Sequence, residues 1–314
     1  MSDPVWTPEI VVDEDRARAL IASRFADVRA ERLERLGQGW DNAAYLVDGA
    51  TVFRFPQRAV AAPLVATEIA VLPALAGLLP VAIPVPRWIG EPDSAYPWRF
   101  AGYELLAGTP LDIARPDDAA RAALASPLAR FLRALHAVDP EPLVASGLPP
   151  DTIGRMDPAK RLPQVRERLF ALVAGGSLES DDAAALLGTF ERDAGTNGPQ
   201  RLTVVHGDLY ARHLLLDERS ALTGVIDWGD VHYGDPAVDL SVAHEILPVA
   251  AHGSFLSEYG DVAPGTWRRA RWRAIHHAVL VADYGTTIGD RALAAGGFEA
   301  LRRILAADRL GSSQ

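Results

Sequence analysis

The stretch Val205-His206-Gly207-Asp208-Leu209, followed by His213-Leu214-Leu215-Leu216 and then by Thr223-Gly224-Val225-Ile226-Asp227, decides the reading of this chain. Short apolar runs separated by turn residues predict two buried strands with polar groups at their ends, over 203–227. Asp208 and His213 lie near one end and Asp227 at the other. Such a rigid hairpin can hold a base and a metal ligand together. The same residues can also be read as turn caps, so the stretch has to be weighed with what surrounds it.

Upstream lies a strand-rich region. Strands are expected at 32–36, 43–47 and 51–55, with Asp48-Gly49 as a hairpin turn. A helix is expected over 13–26, and another over 60–77, stopped or kinked at Pro73. Two more strands are expected near 86–90 and 98–105. From Gly108 the character turns helical: after Pro127, over 157–174 and 179–193, near Pro236, and over 250–259, 265–287 and 291–309. The boundary falls at Leu106-Ala107-Gly108, giving an N-terminal lobe of residues 1–106 and a C-terminal lobe of residues 107–314.

Three further features carry chemistry. Leu36-Gly37-Gln38-Gly39-Trp40-Asp41-Asn42 is a Gly-rich turn between strands, where backbone amides can approach a phosphate; alone it is also an ordinary hairpin turn. In Thr51-Val52-Phe53-Arg54-Phe55, alternation puts the phenylalanines on one face and Arg54 on the other. On the 60–77 helix, Glu68 falls on the apolar stripe of Leu64, Val71, Leu72 and Leu75, where a carboxylate needs a partner. Arg54 is the candidate, in a pair that is either structural or holds a cation on nucleotide phosphates.

Composition narrows the classes. The 314 residues contain no cysteine, which excludes disulfides and thiolate chemistry. Acidic residues outnumber basic ones, 41 to 31, for a net charge of -10. That disfavours nucleic acid as a partner and favours a cationic ligand. Residues 1–8 lack the features of a signal peptide, and no apolar run of about 18 residues occurs, so a cytoplasmic chain without membrane association is expected.

In order and spacing these motifs resemble the aminoglycoside phosphotransferase family, over about residues 37–247. The match is most specific at Val205–Leu209, His213–Leu215 and Gly224–Asp230, and continues through Gly234-Asp235-Pro236-Ala237-Val238-Asp239-Leu240. The resemblance implies an α+β, two-lobed, protein-kinase-like fold, with a small antiparallel sheet and a larger helical lobe. It implies transfer of the γ-phosphoryl group of ATP or GTP, with Mg2+, to a ligand hydroxyl.

Carried over by position, Asp208 matches the catalytic aspartate, and His213 and Asp227 match the metal ligands. Arg54 and Glu68 match the cation and its helix partner. Gly37, Gln38, Gly39 and Asn42 match the phosphate-covering loop. Glu104 and Leu106 belong to the segment Tyr103–Leu106 that joins the lobes and faces the base. Asp235 and Asp239 are expected to support the hairpin and cap the next helix. Arginine replaces the commoner lysine at 54, and histidine the commoner asparagine at 213; the latter resembles the macrolide and aminoglycoside 2''-phosphotransferase branches. Glu245 and Asp283, with Asp208, are candidate substrate contacts for a small cationic acceptor, a macrolide or an aminoglycoside. The alternatives are a metabolic kinase of a choline-like or sugar substrate and a nucleotide-binding pseudokinase. A monomer or simple dimer is expected.

Overall fold

The computed structural model describes residues 8–38, 42–194, 198 and 201–311. Five strands form an antiparallel sheet: β1 (Leu33–Gln38), β2 (Asn42–Val47), β3 (Thr51–Pro56), β4 (Pro86–Gly90) and β5 (Phe100–Glu104), in the order β1-β2-β3-β5-β4. Asp48 and Gly49 both have positive φ, as the tight β2–β3 turn requires. Period-two alternation sends Tyr45, Phe53 and Phe55 into an aromatic core with Phe100, covered by Leu20 and Ile21 of α1 (Glu14–Ala22). Arg54 is left on the opposite face, toward α2 (Ala62–Leu75).

Helix α2 ties the sheet to the rest. Its buried stripe is Val65, Glu68, Val71, Leu72 and Leu75; Val65, not Leu64, occupies the first position. Val71, Leu72 and Leu75 pack in one core with Leu128, Leu132, Leu216 and Trp228 of the C-terminal part. Pro73 lies within the helix without ending it before Leu75, because the fully buried residues around it hold the last turn in place. A backbone bridge from Ala82 to Gly224 adds a second tie.

The C-terminal part is mostly helical. After β6 (Thr109–Pro110) come α3 (Leu111–Ala114), α4 (Asp118–Ala123), α5 (Ala125–Ala137), α6 (Pro140–Ala145), α7 (Pro158–Ala174) and α8 (Ser180–Ala194). Short strands β7 (Thr203–Val205), β8 (Leu214–Leu216), β9 (Leu222–Val225) and β10 (His232–Gly234) interrupt the helices. Then follow α9 (Ala237–Ile246), α10 (His252–Tyr259), α11 (Pro264–Ile288) and α12 (Arg291–Gly311). Helices α7, α8, α11 and α12 share a second core built on Leu169, Phe190, Trp272, Leu301 and Ile304. Among the described residues, no helix is long and apolar enough to cross a membrane.

The 203–227 region differs from the expected single hairpin. β8 pairs with β9, but β7 pairs with β10, with Val205 opposite His232. Asp208 therefore sits on the loop that leaves β7, while His213 and Asp227 flank the β8–β9 hairpin. The reason is local: a 3-10 turn at Ala211–His213 carries the chain from one sheet to the next.

Candidate active site

The loop bearing Asp208 is fixed by its backbone. Gly207 has φ 90, and a Cβ there would meet the Asp230 carbonyl oxygen at 2.2 Å, so glycine is required. Both carboxylate oxygens of buried Asp239 accept loop amides, from His206 N at 2.7 Å and Gly207 N at 2.9 Å. Arg155 donates from Nε to the Gly207 carbonyl at 3.2 Å and pairs with Asp151 and Asp230. The His206 ring bridges the loop to β9: Nε2 lies 3.0 Å from the Ile226 carbonyl, and Nδ1 accepts from Asp208 N at 3.3 Å. Asp239 therefore supports the loop, and Asp235 accepts from Ala237 N at the start of α9 while pairing with Arg269.

His213 and Asp227 converge on this loop. His213 Nδ1 lies 2.8 Å from the Asp208 carbonyl, which can only accept, so Nδ1 carries the proton. Nε2 faces Asp227 Oδ2 at 3.5 Å, and in the neutral ring it would turn its lone pair toward that carboxylate. Asp227 adopts φ 63, a conformation few non-glycine residues take, and keeps 46 % of its side-chain surface open. Among the described residues no group of three or more His, Cys, Asp or Glu side chains is arranged around a metal position. Two protein donors are nonetheless what Mg2+ needs when nucleotide phosphates and water supply its other ligands. His213 Nε2 and the half-exposed Asp227 carboxylate fit that role.

Arg54 joins the sheet to this centre. Nη1 donates to Glu68 Oε1 at 2.8 Å, and Nη2 to Asp227 Oδ1 at 2.9 Å. Glu68, with 1 % of its side chain exposed, also accepts from the Tyr103 hydroxyl. Burial pushes the Glu68 carboxyl upward, and Arg54 offsets part of that. Burial opposes the charge on Arg54, but Asp227 and Glu68 outweigh it and hold the guanidinium protonated.

His277, which the sequence motifs did not single out, stands behind Asp208. Its Nε2 is 3.4 Å from Asp208 Oδ1 and its Nδ1 is 3.0 Å from Glu245 Oε2. Burial pushes the Asp208 carboxyl up; the His277 contact, helped by His213 and Arg273, more than reverses this and holds it below the usual range. The signal available in the sequence was helical spacing: Arg273 and His277 lie four apart on a helix whose other buried residues are mostly apolar. Glu245 is thus engaged by His277 within the fold, whereas Asp283 pairs with Arg168 at 3.5 Å and lies outside the cleft lining.

Two clefts meet at Asp208, His213 and Asp227. One is lined by Asn42, Ala44, Arg54 and Leu64 from the sheet side, and by Gly229 and Asp230. The other runs along α11, past Leu280, Val281, Tyr284 and Ile288, to Asp290 and Leu293. Leu36 of β1 lines both clefts, Gly37 and Gln38 end that strand, and Gly39 lies outside the described residues. Glu104 is exposed and pairs with Arg87, and Leu106 lies over Gly224, where the sheet meets the helical part.

This architecture, a small antiparallel sheet above a helical body with acidic groups at their junction, is that of a two-lobed, protein-kinase-like protein. A family model described as APH, phosphotransferase enzyme family, matches residues 32–273, and the chain belongs to that family. A GDP and kanamycin complex of APH(2")-IIia superposes with TM-score 0.66 at 27% identity, covering 92% of this chain and 97% of that one. Macrolide 2'-phosphotransferase MphH from Brachybacterium faecium superposes with TM-score 0.62 at 27% identity, with coverages of 92% and 97%. Uncharacterized protein YcbJ of Bacillus subtilis (strain 168) is 28% identical over 91 residues, 29% of each chain, so the aligned part spans under a third of that curated relative.

Proposed function

We propose that this phosphotransferase is a small-molecule kinase that moves the γ-phosphoryl group of ATP or GTP to a hydroxyl of an amine-bearing antibiotic. One observation carries the reading: Asp208, His213 and Asp227 stand together where two clefts join, with Arg54 reaching Asp227 from the sheet. Residues 1–106 would hold the nucleotide, with Gly37, Gln38, Gly39, Asn42 and Arg54 toward its phosphates, Glu68 supporting Arg54, and the Glu104–Leu106 segment toward its base. Residues 107–314 would hold the acceptor. Asp208 orients the acceptor hydroxyl and takes its proton as the phosphoryl group arrives. His213 Nε2 and Asp227 would hold Mg2+. Bound there, the ion would neutralise charge on the phosphates. The GDP complex of the related APH(2")-IIia supports a nucleotide donor and leaves ATP and GTP both in play.

The cleft along α11 favours a macrolide over a polycationic aminoglycoside. Leu36, Leu280, Val281, Ile288 and Leu293 give it an apolar wall, and its carboxylates are already engaged: Asp208 by His277, Asp227 by Arg54 at 2.9 Å, and Asp290 by Arg212 at 3.1 Å. That leaves few free carboxylates for several ammonium groups, while an apolar face suits a lactone ring bearing one amine. The Arg54–Asp227 contact favours one rival, a nucleotide-binding pseudokinase, because a guanidinium sits on a metal-position carboxylate. Donor consumption in the presence of macrolides and aminoglycosides separates the two. The kinase reading expects acceptor-dependent release of ADP or GDP; tight nucleotide binding without release across the panel would favour the pseudokinase.

A further inference from the structure

We infer that His277, backed by Glu245, is the positioning residue for Asp208. The inference rests on the kinase reading, and it adds a three-residue row that none of the sequence motifs contains. The row runs from α9 through α11 to the loop after β7: Glu245 Oε2, His277 Nδ1 at 3.0 Å, His277 Nε2, and Asp208 Oδ1 at 3.4 Å.

Both ring nitrogens face carboxylates. A neutral imidazole has one N–H and would turn a lone pair on one of them, so the arrangement calls for the imidazolium form, which donates at both ends. Glu245 and His277 are each buried, with 5% of their side chains exposed; His277 borders the α11 cleft beside Asp208, and Glu245 stands behind it. The groups facing the ring are Asp208 and the edge of Tyr210 from the loop, Glu245 from α9, and Arg273 and His276 from α11 itself. Burial disfavours the charged ring, but the Glu245 charge and the carboxylate contacts of Asp208 and Glu245 lift its pKa to about 9, against Arg273. Asp208 is partly open, with 33% of its side chain exposed, and His277 touches only Oδ1. Oδ2 is therefore the oxygen left for the acceptor hydroxyl. The 3.4 Å contact exceeds a formed hydrogen bond, and it would tighten when the acceptor seats.

The experiment uses the full chain and the variants His277→Ala, His277→Gln and Glu245→Gln, with kinetics against a macrolide and kanamycin and an NMR titration of the His277 ring. His277→Ala is expected to lower kcat by about 100-fold while the nucleotide KM moves by less than about 2-fold. His277→Gln, which keeps one donor, recovers part of kcat, and it covers the case where the alanine variant does not fold. In the titration, Asp208→Asn and Glu245→Gln each lower the His277 midpoint. A folded His277→Ala enzyme with unchanged kcat overturns the inference, as does a His277 midpoint indifferent to Asp208→Asn. If the wild-type chain transfers phosphate to no acceptor, the kinase reading fails, and the titration still decides the contact.

Discussion

The guanidinium of Arg54 bridges two carboxylates of different kinds: buried Glu68 at 2.8 Å and cleft-facing Asp227 at 2.9 Å. The sheet and the β8–β9 hairpin are thus joined through one side chain, and a planar fork suits that task better than an ammonium. Arg54→Met would strand Glu68 with only the Tyr103 hydroxyl. Breaking a buried pair in this way costs about 3–5 kcal/mol, so a clear fall in Tm is expected. Arg54→Lys should keep more stability, since one ammonium still satisfies Glu68, but should raise the nucleotide KM. Calorimetry and initial-rate kinetics on the two variants check both statements.

Asp239 is a support whose removal should reach the chemistry indirectly. Asp239→Ala leaves the amides of His206 and Gly207 buried without acceptors, and removes the carboxylate 3.2 Å from His136 Nε2. Each stranded donor costs about 1–3 kcal/mol. A loss of several degrees in Tm is expected, with a fall in kcat, because the Asp208 loop is no longer held. A variant with wild-type Tm would show that other contacts fix the loop.

Protonation should limit stability on both sides of neutrality. Burial lowers the pKa of His206, His232, His244 and His252, and pushes His276 down to about 2. These rings are neutral in the fold but take up protons when unfolded, near pH 6.5, so their contribution is present above about pH 6.5 and lost as pH falls below it. His277 works oppositely: its pKa, raised to about 9, gives stability that is full below about pH 6.5 and gone as pH rises through 9. Tm measured across pH should fall on the acid side, and His244→Leu should make that fall shallower. A Tm that stays flat to about pH 4 would contradict the neutral buried rings.

Metal preference should report on His213. Imidazole nitrogen is a poorer donor for Mg2+ than an amide oxygen, and relatively better for Mn2+. His213→Asn should therefore saturate with less Mg2+ and lose any preference for Mn2+, whereas His213→Ala should need more of either ion. Activity titrated against each metal separates these outcomes. An identical metal dependence in all three proteins would remove His213 from the site.

Much of the site could be read from residue order, because its parts are local in sequence. The pairing of Arg54 with Glu68 followed from strand alternation and from a carboxylate on an apolar helical stripe, and the two do meet at 2.8 Å. What spacing could not give was long-range partnership. β7 joins β10 rather than β8, since three-residue strands carry little register information. Glu245 read as an acidic wall residue because nothing local marks it as the partner of His277, 32 positions away. Asp283 read the same way, although helix rotation turns it to Arg168. Arg155, which grips the Gly207 carbonyl and Asp230, carries no motif at all.

Asp208 is proposed to direct phosphoryl transfer at the junction of the two clefts. Mass spectrometry of a macrolide and kanamycin mixture, incubated with the chain and with ATP or GTP in turn, tests it most directly when run beside Asp208→Asn. A singly phosphorylated antibiotic is expected with the wild-type chain. The variant's product rate is expected to be lower by about 100-fold or more, with nucleotide binding retained. Equal product from both proteins would contradict it.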